Sequence, residues 1–179
     1  PGMTSLLDTA PLQRTAQQAL ETDQLAANIA HGLLSAVGVT ATRMPADPDA
    51  TVAGSASGRS VLFLDEQVPG AYTGDASRAL DVVRGAITAE HVVASSTIPV
   101  AFPPVAIHEP EQAAAWYVDG GVRLNTPLHP AVGLGASRIV LVSATATSYG
   151  PPPLPTDIGA TPDIDDAAAQ VLHAVLADR

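Results

Sequence analysis

Asp119 sits in the setting that most invites chemistry. It closes the run Ala115 to Val118 and is followed by Gly120 and Gly121. Two glycines let the backbone reverse tightly and leave the carboxylate at the carboxyl end of a strand, where open α/β sheets place their sites. A carboxylate there can act as a general base. Asp-Gly pairs also serve as plain turns in which the side chain accepts backbone N–H groups, and the three residues alone leave both roles open. Acyl transfer needs two further parts, a nucleophile and preorganised N–H donors for the oxyanion. No Gly-x-Ser-x-Gly nucleophile turn and no upstream glycine-rich oxyanion loop occurs in the 179 residues. Gly54-Ser55-Ala56-Ser57-Gly58 has glycines at the right separation, but Ala56 stands where the hydroxyl belongs, and the segment precedes a strand instead of following one.

Other chemistries are poorly supplied. His31, His91, His108, His129 and His173 form no i, i+4 pair and cysteine is absent, so the ligand spacing of a metal site is missing. The histidines read as surface or capping residues, and His129 has the spacing to approach Asp119 across the following turn. Gly133-x-Gly135 is followed by Arg138 and runs from helix to strand, the reverse of a dinucleotide fingerprint. No cofactor and no metal is expected.

The composition narrows the partners. A net charge of −10 with pI near 4.6 argues against nucleic acid, whose phosphates need a basic counter-surface. The same charge disfavours anionic membranes, so a lipid would be engaged through apolar contact. All eight basic residues are Arg, which excludes a Schiff-base or phosphate-loop lysine. The longest apolar stretch, Val92 to Ile107, is broken by Pro99, Pro103 and Pro104 and falls short of a membrane span. The opening residues have neither a basic start nor an apolar signal core. Apolar residues make up 46% of the chain but aromatics only 3%, so the core must be built from Ala, Val, Leu and Ile.

The elements that would position Asp119 follow from periodicity. Leu25, Ile29 and Leu33 predict a helix between a cap at Thr22 or Asp23 and a stop at Gly38. Val37–Thr42 and Arg59–Leu64 read as strands, with a Pro, Gly and Asp rich loop between them. Asp75–Gly85 is expected to be a short helix, and Thr88–Ser95 a second with Thr88 as cap and Glu90 in its first turn. Ala115–Val118 is a strand leading into Asp119, and Pro130–Leu134 a helix stopped by Gly135. Ile139–Ser143 reads as a strand buried on both faces. Beyond a proline-rich break, Asp163–Leu176 is an amphipathic helix with no capping glycine after it. Helices alternating with strands predict an α/β fold, three layers of helix, sheet and helix around a mostly parallel sheet. The expected division is a partial catalytic domain over 1–148, a connection over 149–162 and a C-terminal helix over 163–179.

Four ordered blocks resemble the patatin-like phospholipases: ASSTIPVAFPP (Ala94–Pro104), Asp119-Gly120-Gly121, the Asn125-x-Pro127 turn, and the helix-to-strand segment Ala131–Ala144. Weaker similarity extends upstream through SLLDTAPLQRTAQQAL, VGVTATR and SGRSVLFLD, so that most of residues 5–145 is covered. The resemblance implies a lipid acyl hydrolase using a Ser-Asp dyad, with Asp119 as its carboxylate, Gly120 and Gly121 shaping the supporting turn, and Ser95 and Ser96 as small packing or pocket-lining residues. A histidine is not part of that pattern.

The resulting expectation is a portion of a serine hydrolase acting on lipid esters. Its nucleophile would lie on a missing N-terminal segment of the same protein, so these residues alone would be inert. The protein would be soluble, in a bacterial cytoplasm or peripherally associated with a membrane. The rival is a non-catalytic lipid-binding or scaffold domain derived from the same fold.

Overall fold

The computed structural model describes residues 5–46, 58–70, 72–124 and 127–142. Five strands form one sheet: β1 (Ala36–Arg43), β2 (Arg59–Glu66), β3 (Leu80–Arg84), β4 (Val105–Ile107) and β5 (Ala115–Asp119), in the order β3-β2-β1-β5-β4. Helices α1 (Ala10–Ala19), α2 (Thr22–Ala30), α3 (Ala89–Ala94), α4 (Gly121–Leu124) and α5 (Leu128–Gly133) surround it.

The α/β class is as expected, but the sheet is mixed. β1 runs antiparallel to both β2 and β5, and β4 antiparallel to β5; β2 and β3 alone are parallel. The expectation of a mostly parallel sheet came from reading helices in alternation with strands, one of them over Asp75–Gly85. That stretch instead holds a 3₁₀ turn, Ala76–Arg78, followed by strand β3, Leu80–Arg84. Asp75 caps the turn by accepting from the Ser77 and Arg78 N–H groups. Adjacent Val82 and Val83 then favour the strand. β4 and β5 are joined by a short stretch with no α-helix and pair antiparallel, whereas β3 is parallel to β2 although no described α-helix joins them.

The register fixes two faces. Val37, Val39 and Ala41 of β1 share a side with Val61 and Phe63 of β2, and this side packs with Leu12, Ala16, Val93 and Ala94 from α1 and α3. Phe63 stacks on the His91 ring with centroids 4.1 Å apart and meets Tyr117 edge-on at 5.3 Å. On the other side Leu62, Leu64, Tyr72 and Leu80 form a smaller cluster with Leu124 and Leu134.

Helix α3 matches its expectation: the Thr88 hydroxyl accepts from the His91 N–H, and His91 Nδ1 accepts from the Thr88 N–H at 3.1 Å, a reciprocal cap. Other elements differ. α2 stops at Ala30, with Gly32 at φ 73° just beyond, so Leu33 is exposed and not on a helical face. α1 was not expected; the Asp8 carboxylate accepting from the Ala10 N–H and Pro11 in the first turn start it. Ile139–Val142 is neither paired nor buried: Val140 is 90% and Val142 91% exposed. Ser143, the proline-rich break, the C-terminal helix and the proposed domain boundaries near 148 and 162 lie outside the described residues.

Candidate active site

Asp119 is the last residue of β5, and its backbone is held from both sides. Its N–H donates to the Thr97 carbonyl at 2.9 Å, and its own carbonyl accepts from the Thr42 hydroxyl at 3.0 Å. Thr97 is itself fully buried, with its hydroxyl donating to the Ala94 carbonyl at 3.0 Å. The segment Ala94–Thr97 therefore acts as a fixed rail for the strand end.

The two glycines have separable roles. The Gly121 N–H donates to Asp119 Oδ1 at 2.7 Å and begins helix α4. A Cβ at Gly120 would run into the Thr40 backbone carbonyl, so glycine is required for β5 to approach β1 so closely. Together they turn the chain while leaving the second carboxylate oxygen without a described side-chain partner.

The carboxylate is half-buried and borders a cleft of about 880 Å³. Burial raises the Asp119 pKa above the usual carboxylate value, against the lowering effect of the Gly121 N–H. A carboxylate with a raised pKa is a stronger proton acceptor, which suits a base.

The cleft exists because β5 ends early. β5 pairs with β1 only at Ala41, Thr42 and Arg43, so Ala36–Thr40 has β2 on one side and the cleft on the other. Ala36, Gly38, Val39 and Thr40 line it, together with Ser95 and Ser96 from the end of α3 and Leu134 beyond α5. The expectation that Ser95 and Ser96 line a pocket holds; the Ser96 hydroxyl donates to the Val92 carbonyl at 3.0 Å. Asn125 lies outside the described residues.

The histidines divide. His129 does not approach Asp119; its Nδ1 is 3.7 Å from Asp75 Oδ2. His91 is buried and fills the capping half of its expectation, as the partner of Thr88 at the start of α3. Its Nε2 is enclosed, facing the Glu109 carbonyl without a well-formed hydrogen bond. Burial lowers its pKa, so it is held neutral as a core ring. Among the described residues no group of three or more His, Asp or Glu side chains is placed to hold a metal ion. No described helix is long and apolar enough to cross a membrane.

Sequence reasoning missed the rail. Neither Thr42 nor Thr97 was singled out, because a threonine that fixes a distant strand through its hydroxyl or its carbonyl leaves no periodic signature.

The family model described as Patatin-like phospholipase matches residues 1–132, an interval that contains Asp119 and its supporting turn. No curated protein and no solved structure matches the chain at a significant level.

Proposed function

Because the chain belongs to the patatin-like phospholipase family, a family of lipid acyl hydrolases, we propose that it forms the carboxylate-bearing portion of a serine hydrolase of lipid esters, with Asp119 as the base of a Ser-Asp dyad. The serine comes from polypeptide outside these 179 residues. Its hydroxyl donates its proton to Asp119 as the oxygen attacks the ester carbonyl, and Asp119 returns the proton to the leaving alcohol. Water then repeats the cycle on the acyl-enzyme.

The observation that carries this reading is the placement of Asp119 on the open cleft beside a half of β1 that, among the described residues, has no strand partner on that side. A strand edge with no neighbour among the described residues invites another strand, and the exposed apolar run Ile139–Val142 is a second surface that an added segment would cover. Both features fit a nucleophile-bearing segment seated against Asp119. Without it catalysis loses on the order of a million-fold, so the 179 residues alone are expected to be inert.

The test is a serine-reactive fluorophosphonate applied to the complete gene product, with the labelled peptide identified by mass spectrometry. The expected label falls in a Gly-x-Ser-x-Gly segment outside this sequence. A label on Ser95 or Ser96 would overturn the assignment. So would an unlabelled protein that binds lipid, which would turn the reading to a non-catalytic scaffold.

A further inference from the structure

The peptide joining Asp119 to Gly120 lies where β5 runs out of strand partners. β4 pairs with β5 only as far as Tyr117, and the Asp119 N–H is taken up by the Thr97 carbonyl. The Asp119 carbonyl is taken up by a side chain 77 residues away, the Thr42 hydroxyl, at 3.0 Å. An enclosed carbonyl left without a donor is costly, so this bond does here what a neighbouring strand does elsewhere.

Thr42 is placed so that its hydroxyl stays put. It stands in the half of β1 that has strands on both sides, in register with Ser60 of β2 and Val118 of β5, and all three residues are buried. A β-branched side chain in a strand has few χ1 choices. Its methyl lies beside Gly58, where an added Cβ would come to 3.3 Å from it, while the hydroxyl reaches Asp119. Serine would keep the donor and turn more freely; valine would keep the shape and lose the donor.

The chain beyond the Asp119 carbonyl needs such an anchor. Two successive glycines follow, and glycine leaves the backbone more freedom than any other residue. The first lies against the Thr40 carbonyl, and the N–H of the second donates to Asp119 Oδ1 at 2.7 Å. A turn free to pivot at the Asp119–Gly120 peptide would carry the Gly121 N–H, and the carboxylate bonded to it, away from its place at the cleft. With the carbonyl held by Thr42, the turn and the carboxylate are both referred to the paired half of β1.

We propose that Thr42 is a positioning residue for the Asp119 carboxylate. Its hydroxyl fixes the Asp119–Gly120 peptide, and through the Gly121 N–H that peptide sets how the carboxylate meets the nucleophile. Thr42 is not among the residues that border the cleft, so its effect falls on turnover and not on substrate binding. The inference rests on the Ser-Asp reading.

Hydrolysis of p-nitrophenyl butyrate by the complete gene product is the assay, with Asp119→Asn measured beside the Thr42 variants. Thr42→Val and, as a smaller replacement, Thr42→Ala are expected to lower kcat roughly 10- to 100-fold, the cost of a misplaced catalytic group, with KM changed less than about twofold. Thr42→Ser should recover to within about threefold of the parent, having the hydroxyl on a freer rotamer. The Gly121 N–H lowers the Asp119 pKa. A loosened turn weakens that effect, so the acid limb of the kcat profile should move to higher pH in Thr42→Val. On the residual activity of Asp119→Asn, Thr42→Val should cost less than about twofold more, whereas general damage to the fold would lower both backgrounds alike. Full activity in Asp119→Asn would sink the dyad reading and this inference together. With Asp119→Asn impaired, four results would each overturn the inference alone: unchanged kcat in Thr42→Val and Thr42→Ala, a loss carried by KM, a loss that Thr42→Ser does not recover, or an unmoved acid limb.

Discussion

One strand of this protein lives in two environments. Ala41–Arg43 of β1 is flanked by β2 on one side and β5 on the other, and Ala41 and Thr42 are buried. Ala36–Thr40, on the same strand with the same β2 partner, borders the cleft and reaches no buried position. The paired half is stabilised by what it touches and the open half is available for what it can receive. Asp119 stands at the point where one becomes the other, opposite Ala41. That boundary position explains why its carboxylate is half-buried and its pKa raised.

The strongest way to break the comparison is Asp119→Asn. In the complete protein, ester hydrolysis is expected to fall on the order of 10⁴-fold, the upper end for a removed general base. Stability should not fall with it. A carboxyl whose folded pKa is raised contributes stability below its unfolded pKa and loses it as pH rises through the folded value, so at neutral pH the ionised Asp119 is a burden. The amide oxygen can still accept from the Gly121 N–H. Urea denaturation of the variant should therefore show equal or greater stability at pH 7, with any gain shrinking in acid. Retained activity would remove Asp119 from the dyad.

Packing contrasts the two sides. Phe63 is buried between His91 and Tyr117, and Phe63→Ala is expected to cost about 4 kcal/mol because the surrounding rings cannot close the void. Leu62, the next residue, is also buried but borders the cleft. Water can enter there, so Leu62→Ala should cost about 2 kcal/mol, the lower end for such a change. Denaturant midpoints of the two variants make the comparison, and equal losses would mean that the cleft side is as tightly closed as the other.

Much of the paired region was legible in the sequence. The β-branched run Arg59–Leu64 and the alternation in Val37–Thr42 announced β2 and β1, and the Thr88 cap announced α3. The strand running into Asp119, Gly120 and Gly121 was visible as a local pattern, whereas a catalytic role for Asp119 came only from the family resemblance. What misled was local pattern without its partner. Leu80–Arg84 follows a capped turn and looks helical until β2 is set beside it. Ile139–Val142 has the composition of a buried strand, and composition cannot say whether a neighbour is present to bury it. Sheet direction was lost for the same reason, since pairing is decided between segments far apart in the chain.

A finer test comes from pH. His91 lies on the paired side, and burial depresses its pKa. The unfolded chain takes up the proton first as pH falls, so the stability this group contributes is fully present above the unfolded value and is lost as pH drops from about 6.5 towards the folded pKa. Urea midpoints should decline between pH 7.5 and 5.5, and His91→Gln should flatten that decline. Asp119, whose pKa is raised, works in the opposite direction. An unchanged slope in the His91 variant would mean that the ring accepts a proton in place.

The smallest effect concerns the loop that carries the rail. Val100 has φ 72°, a left-handed conformation that a β-branched side chain adopts at a cost. It is held there by one long-range and one local backbone bond: the Leu6 N–H donates to its carbonyl at 3.1 Å, and the Phe102 N–H donates to the Ile98 carbonyl at 2.9 Å. The side chain is 74% exposed, so removing it sacrifices little packing. Val100→Gly relieves the strain, while the freer unfolded chain offsets part of the gain. The net expectation is a stabilisation of about 0.5–1 kcal/mol, read as a higher urea midpoint with an unchanged m-value. Because Thr97 and its bond to Asp119 lie upstream of the relieved residue, activity of the complete enzyme should be unaltered. A gain in stability accompanied by a fall in activity would show that the strain is used to set the rail against the carboxylate, joining the loop to the site.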